Sequence, residues 1–274
     1  MNCNIYICYH NNKPQINSDV LFPLEAQIST DDNISAKNKY FCELTAMYWI
    51  WKNVTADVVG LFHYRRFLNL KTHQTRIHNI NEKTINKLGL TEDRINQLMQ
   101  KYDIILPVLR PKKIKQSSPT IYEYYSNHHY KEDLDITLDI ISTKYQHMEK
   151  FATSAIKEGK QNYIGNLIIA KKDIFDEYSS WLFDILFELE KIIQKDVIKR
   201  DAYQQRVYGF LAERLLGVFI AYKQETSNIR ICEAPLVFVE SDTTKYIKYL
   251  FRQAKRRFLT LIGLKKKEWY YYVS

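Results

Sequence analysis

Short apolar runs alternate along this chain with longer stretches in which apolar residues recur at helical spacing. The short runs predict strands at about residues 4–9, 58–63, 102–107, 163–170 and 229–239. The longer stretches predict helices at about 40–52, 80–101, 173–194 and 201–222, with two more within 120–158. Strands that alternate with helices predict an α/β sandwich. Without a repeat or linker, we expect one domain over residues 1–243 and a basic helical tail over 244–274.

Composition places the chain among ordinary globular proteins, with 46% hydrophobic and 26% charged residues in 274. No apolar stretch approaches the length of a membrane-spanning helix, and the N-terminus does not resemble a signal peptide. The four cysteines, at positions 3, 8, 42 and 232, show no CxxC or metal-ligand spacing. They are predicted to be reduced, buried thiols of a cytoplasmic protein.

Positive charge is concentrated near the C-terminus. Residues 245–267 hold nine of the 40 basic residues and no acidic residue, which leaves 31 basic residues against 31 acidic ones elsewhere. Because the rest of the chain has no net charge, a nucleic-acid partner is not expected.

The same tail has an apolar stripe at helical spacing, formed by Ile247, Leu250, Phe251, Ala254, Phe258, Leu261 and Ile262. An apolar stripe beside a basic face is typical of a helix that lies on anionic lipid. The alternative is a helix that packs on the domain and leaves its basic face in solvent.

The segment FHYRRF places polar groups at the end of a predicted buried strand, over His63, Tyr64, Arg65 and Arg66. Ligands of open α/β sheets bind at the carboxyl ends of the strands. Arginines suit a diphosphate, and His63 can bond a phosphate or a sugar hydroxyl. The alternative is that one arginine pairs with a structural carboxylate and the other is solvated. Tyr9 and His10, at the end of the first strand, are further candidates for binding the same ligand.

Residues 31–53 begin with a loop rich in turn-forming residues and continue into an amphipathic helix. In the loop, Asp32, Asn33 and Ser35 are candidates for bonding nucleotide or sugar hydroxyls. Asn38 is a donor-site candidate too, or else a cap of the following helix. Glu43 is predicted to lie in the first turn of the helix, where the helix dipole stabilises a negative charge.

These two segments resemble a bacterial capsular and exopolysaccharide glycosyltransferase family long catalogued as a domain of unknown function. The motif DNIS-x-KN-x-x-x-CELT-x-x-YW-x-WKN matches from Asp32 to Asn53, and GL-x-HYRR matches from Gly60 to Arg66. Weaker matches extend the resemblance over about residues 4–240. The resemblance implies a GT-A-like nucleotide-sugar-binding fold and hexosyl transfer in polysaccharide assembly. Some members are similar to galactofuranosyltransferases, so UDP-galactofuranose is one donor to consider.

Many GT-A enzymes bind a divalent metal through Asp-x-Asp at a strand end, where the metal offsets the charge of the leaving diphosphate. Here that strand end carries arginines, and we expect Arg65 or Arg66 to supply part of this charge. The one Asp-x-Asp, at Asp133 and Asp135, lies at a predicted helix start, where acids need no metal to explain them. Asp133 and Asp135 are therefore the candidate ligands for Mn²⁺ or Mg²⁺, and the alternative is that no metal binds there.

Inverting transfer needs a carboxylate that removes the acceptor proton. Glu213, beside Arg214 in an apolar helix, is either that base or half of a structural ion pair, and Asp201 is a second candidate. His128 and His129 lie among tyrosines and are candidates for the acceptor sugar, or else a surface loop. Asn166, after Gly165 in a predicted strand, is a third acceptor candidate.

The sequence therefore predicts a hexosyltransferase on the cytoplasmic face of the inner membrane. Its expected partners are a UDP-linked nucleotide-sugar donor, a polyprenyl-diphosphate-linked oligosaccharide acceptor and anionic lipid. The competing hypothesis is a membrane-surface scaffold without catalytic activity.

Overall fold

The computed structural model describes residues 1–10, 13–28, 30–72, 74–111 and 119–261. Its strands are β1 (Cys3–Tyr9), β2 (Leu21–Glu25), β3 (Val58–His63), β4 (Arg66–Leu68), β5 (Arg76–Ile77), β6 (Ile104–Pro107), β7 (Arg110–Pro111), β8 (Gln161–Asn162), β9 (Ile168–Lys171), β10 (Ile231–Ala234) and β11 (Leu236–Val239). Its α-helices are α1 (Asn38–Phe41), α2 (Leu44–Asn53), α3 (Glu82–Leu88), α4 (Glu92–Lys101), α5 (Ile121–Ser126), α6 (Lys131–Lys144), α7 (Glu149–Ala152), α8 (Lys172–Val197), α9 (Val207–Thr226) and α10 (Thr243–Leu261).

Nine strands of the described chain form one mixed sheet. Strands β2, β1 and β3 run parallel, β9 pairs antiparallel with β3 and β6, and β10 pairs parallel with β6. A tight turn joins β3 to β4, which pairs with β11, and β5 lies outside β11. The predicted α/β class is confirmed, and β3 has the predicted bounds.

Helices cover both faces of this sheet. Val59 and Leu61 of β3 point into the cluster formed with α1, α2 and α5–α9, whereas Val58 and Phe62 point into the cluster formed with α3 and α4. This alternation is the two-residue period of a strand buried on both faces. At Gly60, a Cβ would lie 2.8 Å from the carbonyl oxygen of Ile168 in β9, so glycine allows the two strands to approach closely.

Several predicted boundaries are wrong, and backbone geometry explains them. The helix predicted over 40–52 is broken into α1 and α2 by Cys42, at φ 53° and ψ −131°. The helix predicted over 80–101 is divided by Gly89, whose φ of 70° ends α3. The strand predicted over 229–239 is two strands, because Pro235 has no N–H and the chain changes partners there from β6 to β4.

Two further boundaries shift for local reasons. The helix predicted from Asp201 begins at Val207, because the Asp201 carboxylate accepts the N–H groups of Tyr203 and Gln204 in a turn before it. The stretch 120–158, predicted as two helices, holds α5, α6 and α7 and then a π-helix at Thr153–Glu158. All four cysteines are free and buried, as predicted.

Candidate functional site

The candidate donor residues of the first and third strands meet at one edge of the sheet. Cys8 of β1 pairs with His63 of β3, and the Tyr64 N–H donates to the Cys8 carbonyl oxygen at 3.0 Å. Tyr9, the last residue of β1, and His10 therefore lie beside the turn that follows β3. Because the two strands are parallel, this is a carboxyl-end edge, where open α/β sheets bind ligands.

His63 is held neutral at this edge. Burial lowers the pKa of His63 to about 3, and the charges of Arg66, Arg65 and His10 act in the same direction. Its Nδ1 accepts a hydrogen bond from the Arg65 N–H at 3.4 Å. A neutral imidazole can bond a phosphate or hydroxyl without adding charge, so the positive charge here comes from the arginines.

The two arginines of the turn differ in exposure. Arg65 is exposed and its guanidinium lies 4.9 Å from the centre of the Tyr64 ring. Arg66 is half-buried and lines a cleft of about 260 Å³. Among the described residues, neither arginine forms an ion pair with a carboxylate, so the structural ion-pair alternative is not seen.

The cleft brings four of the predicted site residues together, namely Arg66, His129, Glu213 and Arg214. Its other lining residues are Glu43, Tyr124, Ile164, Tyr203, Arg206, Gly209 and Phe210. Three arginines and two glutamates thus share one small space with aromatic walls. This set can bind an anion and can also take up a proton.

A turn at residues 164–167 closes one side of the cleft. Gly165 has φ 88° and Asn166 φ 52°, so the prediction that they lie within a strand is wrong, and β9 begins only at Ile168. A Cβ at Gly165 would lie 3.3 Å from Cδ and Nη1 of Arg66. The positive φ therefore favours glycine here, and Arg66 packs closely against it.

Two glutamates hold this turn from opposite sides. The Gly165 N–H donates to Glu213 Oε1 at 2.9 Å, and Asn166 Nδ2 donates to Glu43 Oε1 at 2.9 Å and to the Gly209 carbonyl oxygen at 3.2 Å. Asn166 is only 3% exposed, and its Oδ1 has no partner in the described structure. The structure thus places Asn166 in the support of the turn.

Glu213 and Arg214 form the ion pair that the sequence left as an alternative, and they also line the cleft. Arg214 Nη1 donates to Glu213 Oε2 at 3.2 Å and to the Phe210 carbonyl oxygen at 2.7 Å. The Arg214 side chain is buried, whereas that of Glu213 is 16% exposed. A paired carboxylate with access to the cleft fits both a structural role and proton transfer.

Glu43 and Arg206 were missed as site residues. The break at Cys42 turns Glu43 into the cleft, whereas an unbroken helix suggested only a dipole interaction. Arg206 Nε donates to Cys42 Sγ at 3.2 Å. Burial raises the pKa of Glu43, and the nearby Glu213 carboxylate raises it further, while the bond from Asn166 opposes the shift.

We expect Glu43→Gln to stabilise the protein in a pH-dependent way. Because the folded state raises the pKa of Glu43, the wild type loses stability as the pH rises above the ordinary value of 4.5. Glutamine keeps an acceptor for Asn166 and removes the buried charge. For a domain of this size, each kcal/mol of stability corresponds to roughly 2–4 °C in melting temperature. Thermal melts should agree at pH 4 and diverge at pH 7.5, and a variant less stable than wild type at pH 7.5 would contradict this.

The two histidines predicted for the acceptor separate. His129 lines the cleft, with its ring 4.2 Å from that of Phe210 and Nδ1 3.1 Å from Gln204 Oε1. Burial lowers the pKa of His129 to about 4, so this ring is neutral at pH 7. His128 is exposed, and its Nδ1 lies 2.8 Å from the Tyr124 carbonyl oxygen.

The loop candidates of residues 32–38 make internal contacts and do not line the cleft. Tyr48 donates to Asp32 Oδ1 at 3.2 Å, and Asn33 Oδ1 accepts the Ser35 N–H at 3.0 Å. Asn38 does not cap the helix start; its amide donates to the Cys42 carbonyl oxygen at 2.9 Å. Asn38 thereby supports the break that orients Glu43.

The two candidate metal ligands, Asp133 and Asp135, bond to different side chains. Asp133 is buried and accepts two hydrogen bonds from Arg200, at 2.5 and 2.8 Å, while Asp135 bonds Tyr122 and Lys131. Within residues 1–261, as far as they are described, no three His, Cys, Asp or Glu side chains form a metal-ligand group. Asp201, the second candidate base, is exposed in its turn and does not line the cleft.

The protein is similar to known proteins both in sequence and in structure. Residues 4–225 match the family described as Domain of unknown function (DUF4422). The chain belongs to this family. The match includes both strand ends, the Cys42 break and the cleft residues of α9.

A solved structure described as the WbbM bifunctional glycosyltransferase in its apo form is similar to this DUF4422 protein, with 30% sequence identity and a TM-score of 0.80. The similarity covers 88% of this chain and 46% of that one, so the chain spans about half the length of this neighbour. No curated protein matches the sequence. No helix of the described residues is long and apolar enough to cross a membrane.

Proposed function

We propose that this protein is a glycosyltransferase that moves a hexose from a nucleoside-diphosphate sugar to an oligosaccharide acceptor. The observation that carries the proposal is Arg66, which lines a cleft at the carboxyl end of β3 without a carboxylate partner in the described chain. The likeness to a glycosyltransferase structure supports the same reaction class. Parallel β2, β1 and β3 followed by antiparallel β9 support a GT-A-like domain over residues 1–243.

The donor would enter at the edge shared by β1 and β3. Arg66 and Arg65 would bond the diphosphate, while neutral His63 donates to or accepts from a phosphate or hydroxyl. Tyr9, His10, Tyr64 and the loop residues Asp32, Asn33 and Ser35 remain candidates for the nucleoside or sugar. UDP is the proposed nucleotide, and galactofuranose is one candidate sugar.

The arginines supply the charge that a metal provides in many related reactions. As the bond between the anomeric carbon and the diphosphate oxygen breaks, negative charge grows on the leaving group. Fixed guanidinium groups in a dry cleft stabilise that charge without rearranging. Arg206 and Arg214 add positive charge to the same cleft.

Glu213 is the proposed base if transfer inverts the anomeric centre. The acceptor hydroxyl oxygen attacks the anomeric carbon, its proton passes to the Glu213 carboxylate, and the nucleoside diphosphate leaves with the bonding electrons. Arg214 orients this carboxylate. The aromatic walls and His129 would contact the acceptor sugar.

The proposed acceptor is a polyprenyl-diphosphate-linked oligosaccharide of capsule, O-antigen or exopolysaccharide synthesis. Such an acceptor has its lipid in the inner leaflet, so the enzyme would work at the cytoplasmic face of the membrane. The basic residues of the C-terminal segment support this location.

A nucleotide panel tests the proposal directly. A ligand raises the melting temperature only if the folded state binds it, by an amount set by RT ln(1 + [L]/Kd). We expect UDP and UDP-sugars at 100 times Kd to stabilise the protein by about 2.7 kcal/mol, or roughly 5–10 °C. No shift with any UDP or GDP species would favour a membrane-surface scaffold without catalytic activity.

A further inference from the structure

The last described helix, α10, contacts the domain through two tyrosines, Tyr246 and Tyr249. The Tyr246 ring stacks on His78 at 5.4 Å, and the Tyr249 hydroxyl accepts the Thr75 N–H at 3.3 Å. The Arg76 guanidinium lies 5.9 Å from the Tyr249 ring. Both tyrosines lie on the same side of the helix, at i and i+3. The helix therefore rests on β5 through this tyrosine side.

The apolar stripe of α10 is left uncovered. Phe251 is 72% exposed, Phe258 60%, Ile247 46% and Leu250 45%. With about 100° between successive residues, Ile247, Phe251 and Phe258 lie on a face turned away from the tyrosine side, whereas Leu250 lies at the border between the two. Helix α10 does pack on the domain, as in the alternative interpretation, but it packs through its tyrosine side and leaves these positions of the stripe exposed. Leu261 and Ile262, the last two positions of the predicted stripe, lie outside the described side chains.

Basic residues border this stripe. Lys245, Lys248, Arg252 and Lys255 are exposed, and they lie between the apolar stripe and the tyrosine side. No acidic residue occurs between positions 243 and 261. Among these four, only Lys245 has an ion-pair partner in the described structure, Asp242 at 3.4 Å. Helix α10 thus has three sides. One packs on the domain, the second is apolar and the third is basic.

The helix is joined closely to the candidate site. The Val239 N–H of β11 donates to the Arg65 carbonyl oxygen at 3.0 Å, and α10 begins four residues later. Arg76 of β5 pairs with Glu240 in the connection, at 2.8 Å. A surface that holds α10 would therefore also hold the turn that carries Arg65 and Arg66.

We propose that the apolar and basic sides of α10 dock on an anionic lipid bilayer, with the phenylalanines in the interface and the lysines and arginine on lipid phosphates. The charge decides between a bilayer and a second copy of the chain. An isologous contact through this surface would bring two sets of basic residues together, whereas anionic lipid neutralises them. The docking itself is inferred from the surface of α10. Only the purpose of the docking, which is to bring the cleft to a lipid-linked acceptor, rests on the proposed function.

Vesicle sedimentation of the full-length chain tests this docking. We expect binding to vesicles of phosphatidylcholine with phosphatidylglycerol, and at least tenfold weaker binding to pure phosphatidylcholine. The double variant Phe251→Ser/Phe258→Ser should lose at least tenfold in binding to the anionic vesicles. Its matched control is Ile192→Ser/Ile198→Ser, which removes two apolar side chains of 53% and 52% exposure elsewhere on the surface and should bind as wild type does.

Three results would overturn the docking proposal. These are no vesicle binding by the wild type, equal binding by the two double variants, and a concentration-dependent dimer that only the phenylalanine variant loses. The melting shift with UDP should persist in the phenylalanine variant, since Phe251 and Phe258 lie outside the cleft. Vesicle binding without any nucleotide shift would refute the proposed function and leave the docking intact.

Discussion

Arg66→Ala is expected to weaken UDP binding by a factor of about 30 to 5,000, because truncating one partner of a buried, charged hydrogen bond costs roughly 2–5 kcal/mol. Arg66 is the guanidinium that lies inside the cleft, packed against Gly165, and no carboxylate of the described chain neutralises it. Alanine leaves the fold of the β3–β4 turn intact, since the His63–Arg66 pairing is made by the backbone. Isothermal titration calorimetry with UDP measures the loss.

Two matched variants make the Arg66 result specific. Arg65→Ala removes an exposed guanidinium that rests on Tyr64, so we expect a smaller loss, below about tenfold. Arg230→Ala removes an arginine paired with Asp103 away from the cleft, and UDP binding should not change. Unchanged affinity in folded Arg65→Ala and Arg66→Ala proteins would contradict the donor site.

Glu213→Gln is expected to lower the rate of transfer by about 10²–10⁴ while leaving the affinity for UDP within about threefold. Glutamine keeps a carbonyl oxygen that can accept the Gly165 N–H, so the turn that packs on Arg66 is preserved. It cannot take the proton of the acceptor hydroxyl. A fall in kcat without a matching fall in nucleotide binding separates proton transfer from a structural role.

Asp201→Asn is the control for this carboxylate. Asp201 lies exposed in a turn outside the cleft, so its loss should change kcat less than about twofold if Glu213 is the base. If Glu213→Gln transfers at the wild-type rate, the base assignment is refuted. The Glu43→Gln protein then shows whether the other glutamate of the cleft takes the proton.

The strand end at His63 was predictable because its evidence is local. A buried apolar run that ends in His-Tyr-Arg-Arg must release those side chains at the edge of the sheet, and Arg66 does line the cleft there. Glu213 was predictable for a similar reason, since a carboxylate in an apolar helix needs a partner or a function.

The role of Glu43 could not be predicted from periodicity. Apolar spacing continues smoothly through Cys42, but the backbone there has a positive φ that non-glycine residues seldom adopt. That conformation depends on contacts from distant residues, including the hydrogen bond from Arg206 to the Cys42 thiol. The only local sign is Asn38, whose amide bonds the Cys42 carbonyl oxygen.

The turn at Gly165 was misread for a related reason. Apolar residues on both sides of Gly165 and Asn166 suggested one strand, whereas the left-handed backbone at both positions is stabilised by Glu213, Glu43 and Gly209 from other parts of the chain. The motif residue Asn166 therefore helps to build the site by supporting this turn.

The most direct test of the central claim is the release of UDP from UDP-sugars by the purified wild-type protein, with and without a lipid-linked oligosaccharide acceptor. We predict acceptor-dependent release with at least one UDP-hexose, and its loss in both Arg66→Ala and Glu213→Gln. Release that is absent for every UDP-sugar and acceptor tested, or that persists unchanged in both variants, would contradict a glycosyltransferase site in this cleft.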